Sequence, residues 1–298
     1  VLPVAHPQLV SCDHCAMNLP PLHIPGLLMQ YNLKPQKSMG QNFLADHNAL
    51  IKIVEDSGVG PQDRVLEIGA GLGSLTRLLA VEAGAVVAVE LDPKLFPALQ
   101  SVMAPFANVR LVQGDILAIP PCEIFSEDGY KVVANIPYYI TSAVIRHLLE
   151  ADVRPERLVL TMQREVAERI LTVDEKMSLL ALSVQVYGEA RIASHIPSEC
   201  FYPQPKVDSS VLVIDVDREP KLDRHETDQL FRLAHMAFNQ KRKMLRSSLR
   251  PALGAELETV SEVLDQAGID PKQRPEKLSL GDWMRLIEVV NHKRSEGL

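Results

Sequence analysis

A glycine-rich segment, Glu67-Ile-Gly-Ala-Gly-Leu-Gly73, follows an apolar run and precedes a helical pattern. The glycines at 69, 71 and 73 let the backbone turn sharply and approach a bound molecule, because no Cβ stands in the way. Nicotinamide dinucleotides and S-adenosylmethionine are both bound by turns of this kind. The dinucleotide pattern, however, places Gly or Ala where Ser74 stands. The segment therefore favours a site for the methionine part of S-adenosylmethionine.

Two carboxylates end the next two apolar segments. Glu90 closes the second segment, a little over twenty residues after the glycine turn begins, where a carboxylate can accept hydrogen bonds from both hydroxyls of a ribose. Asp115 closes the third, where an acceptor can meet the amino group of an adenine. Either acid alone could simply cap a strand. Together with the glycine turn they supply the groups that one bound nucleoside requires.

The fourth apolar segment ends in Asn135-Ile136-Pro137-Tyr138. The amino nitrogen of adenine is a poor nucleophile, because its lone pair is delocalised into the ring. Acceptors placed on its hydrogens, here the Asn135 side-chain oxygen and the Ile136 backbone carbonyl, can aim that lone pair at a methyl group. Pro137 fixes the turn, and Tyr138 can stack on an extruded base. Although Asn-x-Pro is also a common turn, in this context the motif indicates methyl transfer by positioning and desolvation.

A basic stretch lies in the last third of the chain and contains no acid: Lys241, Arg242, Lys243, Arg246 and Arg250. A solvated helix face usually carries both signs of charge. The net charge of −7 argues against a general polyanion-binding protein. A local patch can override the total, so this stretch is predicted to bind nucleic acid phosphates.

Alternating strands and helices must position these motifs. The apolar segments 64–68, 86–91, 109–113, 131–134, 157–162, 191–195 and 211–216 are predicted strands, and 74–83, 93–102 and 142–150 are predicted helices. Near-continuous Val and Ile runs are typical of strands covered on both faces. The alternation predicts a parallel α/β sheet with its ligand at the carboxyl ends of the strands.

The pattern changes to helices alone after residue 216, at 226–249, 257–266 and 280–290. The expected organisation is an irregular or disordered segment 1–28, a catalytic domain 29–217 and a helical RNA-binding domain 218–298. Segment 1–28 is rich in Pro and His and lacks Arg, which argues against a mitochondrial transit peptide. Met29 is hypothesised to be the natural start.

Composition excludes several classes of protein. Hydrophobic content of 46% and charged content of 23% are typical of a soluble globular protein. No uncharged apolar run approaches the roughly 18 residues that a membrane helix needs. Four cysteines suggest a reducing compartment. Cys12 and Cys15 have metal-ligand spacing around His14, but no second pair follows, so no metal site is predicted.

With these motifs in place, the chain resembles the bacterial small-subunit ribosomal RNA adenine dimethyltransferases. Relatives of that family include the eukaryotic dimethyladenosine transferases and the macrolide-resistance RNA methylases. The resemblance runs from about Pro35 to Val290. Beyond the motifs above, it includes Gln41-Asn42-Phe43-Leu44, the segment 201–209 (Phe-Tyr-Pro-Gln-Pro-Lys-Val-Asp-Ser) and a basic helix over 237–249.

The resemblance implies a class I Rossmann-like, S-adenosylmethionine-dependent methyltransferase fold with a small all-helical C-terminal domain. It implies dimethylation of the N6 atoms of two adjacent adenines in a 3′-terminal hairpin loop of small-subunit (16S) ribosomal RNA. The expected setting is an immature 30S-type particle, a role in small-subunit biogenesis, a cytoplasmic location without membrane contact and a monomeric enzyme.

The resemblance also implies roles for individual residues. The expected cofactor contacts are Asn42, Leu44, Glu67, Gly69, Gly71, Glu90, Asp115 and Asn135. The expected catalytic set is Asn135, Ile136, Pro137, Tyr138 and Phe201, with Tyr138 and Phe201 holding the target base between them. The expected RNA contacts are Lys206, Lys241, Arg242, Lys243 and Arg246.

Two departures from the family pattern concern the methyl-transfer motif. Ile136 stands where the family more often has Leu, and the change should be tolerated because the backbone carbonyl is the proposed acceptor. Tyr139 stands where the family often has Asn, which leaves the shape of the pocket beside the base open.

Three other functions remain as alternatives. A large-subunit methylase of the resistance type would share every cofactor residue, but the long helical tail containing 274–283 favours the small-subunit enzyme. An assembly or transcription factor could keep the fold without turnover, although Asn135, Pro137 and Tyr138 argue against it. A DNA adenine methylase usually carries a separate domain that reads sequence. An organelle of bacterial origin is an alternative location.

Overall fold

The computed structural model of the chain describes residues 19–172, 177–240 and 242–295. Its strands are β1 (Phe43–Leu44), β2 (Arg64–Ile68), β3 (Ala85–Glu90), β4 (Val109–Gln113), β5 (Tyr130–Asn135), β6 (Pro155–Gln163), β7 (Gly188–Ile196), β8 (Phe201–Tyr202) and β9 (Ser209–Val216). Its α-helices are α1 (Ile24–Gln30), α2 (His47–Ser57), α3 (Ser74–Glu82), α4 (Phe96–Met103), α5 (Pro121–Ile124), α6 (Thr141–Leu149), α7 (Arg164–Ile170), α8 (Leu179–Tyr187), α9 (Arg224–Phe238), α10 (Leu245–Leu253), α11 (Leu257–Gln266) and α12 (Leu280–Ser295).

A seven-stranded sheet in the order β4-β3-β2-β5-β6-β9-β7 forms the centre of the fold. Its first five strands pair in parallel, whereas β9 runs antiparallel to both β6 and β7. The expectation of a wholly parallel sheet is therefore wrong for β9. The reason is the connection: β9 follows β7 through a link without an α-helix, and antiparallel neighbours need no helical crossover.

The seven predicted strands are all confirmed, with ends that differ by a few residues at most. They could be recognised because the sheet is covered on both faces, so that consecutive residues such as Val65 and Leu66, or Val132 and Val133, are fully buried. The two-residue strands β1 and β8, which pair with each other away from the main sheet, were not predicted. Such short strands carry no periodic pattern.

The expected continuous helices over 226–249 and 237–249 are wrong. Helix α9 ends at Phe238 and α10 begins at Leu245, with a turn between them in which the Lys243 amide donates to the Gln240 carbonyl. Both Phe238 and Leu245 are buried, and the turn lets α10 fold back against α9. A straight helix through 239–244 could not bring α10 back against α9.

The predicted boundary at 217/218 lies between the end of β9 and the start of α9. The two regions nevertheless share one hydrophobic core, in which Leu230 of α9 and Leu286 of α12 join a cluster that extends to Leu66 of β2. The fully buried Trp283 packs on Phe238, with ring centroids 6.2 Å apart. None of the described helices has the length and apolar character that a membrane span requires.

Residues 24–28, which precede Met29, are helical. Helix α1 begins at Ile24, so the expectation of an irregular 1–28 segment is wrong for residues 24–28; residues 1–18 lie outside the described part of the chain. Ile24 and Leu28 are buried in an apolar cluster that includes Phe43 and Leu72, and the clustering of these side chains explains why the helix forms. A chain beginning at Met29 would lack both side chains.

We expect Ile24→Ala to lower the free energy of unfolding by about 2–5 kcal/mol, because it removes buried methyl groups and leaves a cavity next to Phe43. Met29→Ala, on the same helix but 83% exposed, should change it by less than about 0.5 kcal/mol. Urea unfolding of the two variants measures this difference. Equal values would mean that α1 does not contribute to the folded core in solution.

Candidate active site

An open cavity of about 810 Å³, including its solvent-open mouth, lies at the carboxyl ends of the parallel strands. The main lining residues come from the loop before β1 and from the ends of β2, β3, β4 and β5: Gly40, Gln41, Asn42, Phe43, Gly69, Gly71, Glu90, Asp115, Asn135, Ile136, Pro137, Tyr138 and Tyr139. The site therefore lies where strand polarity and the sequence motifs predict it.

The glycine turn connects β2 to α3. Gly69 and Gly71 have φ values of +76° and +59°, in the left-handed region where a side chain is strained. A Cβ at Gly71 would also stand 3.2 Å from the Phe43 ring, so the turn packs directly under that ring. The absence of a side chain at Gly71 keeps the backbone of the turn accessible from the cavity.

Glu90, at the end of β3, is the most strongly held acid of the cavity wall. It is 6% exposed, and its two oxygens accept the backbone N–H groups of Gly71 at 2.7 Å and Asp92 at 2.8 Å. Burial raises the pKa of the carboxyl, and these two hydrogen bonds oppose the rise. Each carboxylate oxygen can still accept a second hydrogen bond, as required to bind the hydroxyls of a ribose.

Glu67 lies beneath the glycine turn and does not line the cavity. Its side chain is buried, and its Oε2 has no hydrogen-bond partner among the described residues. Burial raises the pKa of Glu67 to about 8; the nearby Thr76 hydroxyl lowers it in part, and the charge of Glu90 raises it further. The carboxyl is therefore largely protonated at neutral pH, unless a cation binds close to it.

Asp115 lies at the opposite wall, after β4. The side chain is exposed, and its Oδ1 accepts the Leu117 N–H at 3.0 Å in a short 3-10 turn. No donor among the described residues reaches its other oxygen. Asp115 can thus accept a hydrogen bond from an amino group of a bound nucleoside while it keeps the bond from the Leu117 N–H.

Asn135 and Ile136 lie next to each other on the cavity wall. The Asn135 amide donates from Nδ2 to the Asn42 carbonyl at 3.2 Å, and no described residue donates to its Oδ1. The Ile136 side chain is buried at 1% exposure, so only its backbone is available to the cavity. The replacement of Leu by Ile at this position therefore leaves the acceptor carbonyl in place.

The two predicted stacking residues are placed differently. Tyr138 lines the cavity, and its hydroxyl is 2.8 Å from the Ser209 hydroxyl; burial raises its pKa. Phe201 is 4% exposed and pairs with Leu44 through β1 and β8, and neither side chain lines the cavity. Tyr139 lies at the mouth with 62% of its surface exposed.

Three further polar residues hold the loop formed by residues 36–42: Gln41, which belongs to a motif named from the sequence, and Gln36 and Asp92, which the sequence did not indicate. Gln36 and Gln41 both donate from Nε2 to Asp92 Oδ2, each at 2.8 Å. The Gln36 N–H also donates to Gln41 Oε1 at 2.8 Å. Asp92 stands two residues after Glu90, but a partner more than fifty residues away in the chain leaves no signal in a single sequence.

The described members of the basic stretch are divided between the turn after α9, which holds Arg242 and Lys243, and α10, which holds Arg246 and Arg250. Arg242 and Lys243 are exposed, Arg246 is half-buried, and Lys241 lies outside the described residues. Arg250 forms an ion pair with Glu256 at 2.7 Å. Its charge is therefore already partnered, although the stretch itself contains no acid.

Lys206 is exposed in the loop before β9, three residues from Ser209, which contacts Tyr138. Cys12, His14 and Cys15 lie outside the described residues.

The model of the ribosomal RNA adenine dimethylase family matches residues 32–292, which is most of the chain and contains every residue of the cavity. The chain belongs to this family. The family match and the relatives show that the chain has a class I methyltransferase fold. They also show that it is a ribosomal RNA adenine dimethyltransferase and that it uses S-adenosylmethionine.

The relatives include ribosomal RNA small subunit methyltransferase A of Dehalococcoides mccartyi strain CBDB1, 42% identical over 86% of this chain and 88% of the relative. The protein of the same name from Moorella thermoacetica is 41% identical over 89% of this chain and 96% of the relative. Among solved structures, the 23S ribosomal RNA methyltransferase ErmE is 28% identical with a TM-score of 0.66, covering 84% of this chain and all of that one. A dimethyladenosine transferase from Plasmodium falciparum shares the fold. It is 24% identical with a TM-score of 0.72, covering 85% of this chain and 98% of that one.

The residues of the dimethylase cavity fit S-adenosylmethionine. The glycine turn offers close backbone approach, Glu90 offers acceptors for ribose hydroxyls, and the buried Glu67 oxygen lacks a partner near the turn. This carboxyl can ionise when positive charge binds close to it, and the methionine part of S-adenosylmethionine carries such charge.

Glu67 should make the stability of the ligand-free enzyme depend on pH. Its pKa is about 8 in the folded state against an ordinary value of 4.5, so between these values the folded state holds a proton that the unfolded state has lost. Stability should therefore fall as pH rises from about 5 to 8, by roughly 3–5 kcal/mol from this group alone.

The variant Glu67→Gln cannot ionise, so we expect it to lose that part of the pH dependence. Urea unfolding of both proteins at pH 5 and pH 8 isolates the contribution. A constant difference between the two proteins at both pH values would mean that Glu67 titrates normally in the folded state.

Proposed function

We propose that this dimethylase methylates the N6 atoms of two adjacent adenines in a 3′-terminal hairpin loop of small-subunit ribosomal RNA, within an immature 30S-type particle. The observation that carries the proposal is the acceptor pair of Asn135 and Ile136 on the wall of the cofactor cavity. The names of the two bacterial relatives described above, both small-subunit methyltransferases, support the choice of RNA.

The acceptor pair explains how the enzyme activates a weak nucleophile. In the first transfer, Asn135 Oδ1 and the Ile136 carbonyl each accept a hydrogen bond from the adenine amino group, which aims the nitrogen lone pair at the methyl donor. The nitrogen–methyl bond forms as the sulfur–methyl bond breaks, and the methylated nitrogen then releases one proton to water. In the second transfer one N–H remains, so one acceptor orients the nitrogen. The bound cofactor supplies an electrophilic methyl group on a sulfonium sulfur. Since neither acceptor is a strong base, positioning and exclusion of water lower the barrier.

Tyr138 is proposed to fix the plane of the base. Its ring lines the cavity beside the acceptors, and the hydrogen bond to Ser209 restrains its orientation. Phe201 would complete the pair of stacking residues only if its ring becomes accessible when RNA binds, because it is 4% exposed in the free enzyme. The target adenine must leave its helix, or come from a loop, to enter the site.

The remaining cavity residues are proposed to bind the cofactor. Glu90 would hold the ribose hydroxyls, Asp115 the adenine amino group, and Gly69 and Gly71 the methionine part, with Asn42 closing over it. Leu44 and Glu67 would act from beneath, because neither reaches the cavity surface.

The helical region 218–298 is proposed to hold RNA through the exposed Arg242 and Lys243, together with Lys241, Arg246 and, from the sheet side, Lys206. Binding to phosphates fixes the position of the RNA without reading its sequence. We further propose a monomeric, cytoplasmic enzyme that acts in small-subunit biogenesis.

A large-subunit substrate is the second candidate, because the ErmE structure matches 84% of the chain at 28% identity. The small-subunit relatives are more similar, at 41–42% identity over a comparable share of the chain, and therefore favour the first candidate.

Asn135→Ala should reduce methyl transfer about 100-fold or more, because it removes one of two groups that orient the amino nitrogen. The measurement is transfer of labelled methyl groups to immature small and large subunits, followed by mass spectrometry of the nucleosides. Wild type should form N6,N6-dimethyladenosine in the small subunit alone. The control Asn48→Ala, exposed on α2, should behave as wild type.

Two outcomes of this assay would contradict the proposal. Label confined to the large subunit would replace the proposed substrate with the alternative one. Full activity of Asn135→Ala would remove the acceptor pair from the mechanism.

Replacing Arg242, Lys243 and Arg246 by Ala should weaken RNA binding about 10-fold or more and flatten its dependence on salt, because phosphate contacts release counterions. Cofactor affinity should be unchanged. The matched control replaces the exposed Lys52, Arg110 and Arg218, which lie outside the helices α9–α12 and remove the same charge. Equal losses in both triple variants would mean that overall charge, not this turn, determines RNA affinity.

A further inference from the structure

Asp92 is a buried acid next to the cavity whose two oxygens have different partners. It is 3% exposed and does not line the cavity. Oδ1 accepts the Lys94 N–H at 3.0 Å, a local bond that shapes the turn leading into α4. Oδ2 accepts the side-chain amides of Gln36 and Gln41, which are distant in sequence. The second oxygen therefore serves a purpose other than the local turn.

The 36–42 loop is fixed by this oxygen at one side of the cavity. Gln36 and Gln41 are also bonded to each other, through the Gln36 N–H and Gln41 Oε1 at 2.8 Å. A charged acceptor shared by two amide donors forms stronger hydrogen bonds than neutral groups do. The three residues thus hold the loop next to the end of β3.

The same loop reaches the other side of the cavity at the end of β5. Asn42, which lines the cavity, accepts the Asn135 Nδ2 group on its backbone carbonyl at 3.2 Å. That bond determines which end of the Asn135 amide faces the cavity, because Nδ2 is occupied and Oδ1 is left for substrate. The Asp92 N–H donates in turn to Glu90 Oε1.

We propose that Asp92 is a positioning residue: through Gln36 and Gln41 it holds the 36–42 loop across the cofactor cavity and so sets the orientation of Asn135. The proposal rests on the assignment of this cavity to S-adenosylmethionine and adenine under the proposed function. Asp92 touches neither ligand. It acts through the loop on cofactor affinity and through Asn42 on the amide of Asn135.

The substitution Asp92→Asn can keep the local hydrogen bond of Oδ1 while it removes the acceptor at Oδ2. The Asn side-chain oxygen can keep the Lys94 N–H, which places the new NH2 group against the two donor amides and opposes them. We expect the Kd for S-adenosylmethionine to rise about 10-fold and kcat to fall about 10-fold. The KM for the small-subunit substrate should change less than about 3-fold. Isothermal titration with S-adenosylmethionine and steady-state methyl transfer measure these quantities.

A reversed pair distinguishes positioning from a general loss of stability. Gln41→Glu alone places two carboxylates together and should weaken cofactor binding as much as Asp92→Asn does. In the double variant Asp92→Asn/Gln41→Glu, the amide introduced at position 92 donates to the carboxylate introduced at position 41, so Kd and kcat should recover about 3-fold from their values in Asp92→Asn. The recovery is partial because Gln36 Nε2 still faces the amide introduced at position 92. The control Asp152→Asn, an exposed acid, should match wild type throughout.

The outcomes separate this inference from the function on which it rests. Unchanged Kd and kcat in Asp92→Asn, or no recovery in the double variant, would overturn the positioning role. Glu90→Ala is the reference for the cavity itself. If that variant binds S-adenosylmethionine like wild type, the assignment of the cavity fails, and the positioning role fails with it.

Discussion

The buried carboxylate of Glu90 is the constraint on which the site depends. It accepts N–H groups from the turn after β2 and from the residue that leads away from β3, so it joins two strand ends that meet only in the folded sheet. Desolvating a carboxylate is costly unless its lone pairs are used, and here backbone donors use part of them. The remaining acceptor capacity faces the cavity. The same carboxylate that stabilises the turn therefore also offers free acceptor positions to the cavity.

Periodicity in the sequence predicted most of the sheet, since burial on both faces produces the runs of Val and Ile that mark strands such as β2 and β5. The order of chemical groups at the strand ends predicted the cavity, because parallel strands place their carboxyl ends at one edge. Local glycine and proline chemistry located the turns at Gly71 and Pro137. These features could be predicted because the residues that the folded structure needs at these places are also the ones that the local sequence pattern indicates.

The features that could not be predicted depend on contacts between distant segments. The reversal of β9 depends on which neighbour it pairs with, and the break after Phe238 depends on a core that α9 and α10 build together. The burial of Phe201 follows from its pairing with Leu44, which no periodic pattern indicates. Helix α1 is short and contains a proline and a glycine, so its formation depends on the apolar cluster under it rather than on its own propensity.

The shared core between the sheet and helices α9–α12 has a geometric consequence. Two regions joined only by a linker can change their separation, whereas regions packed through Leu230, Trp283 and Leu286 cannot do so without exposing apolar surface. The distance from the basic turn to the cavity is therefore fixed. For RNA bound at this turn as proposed above, only an RNA whose own fold spans that distance would place a base in the cavity.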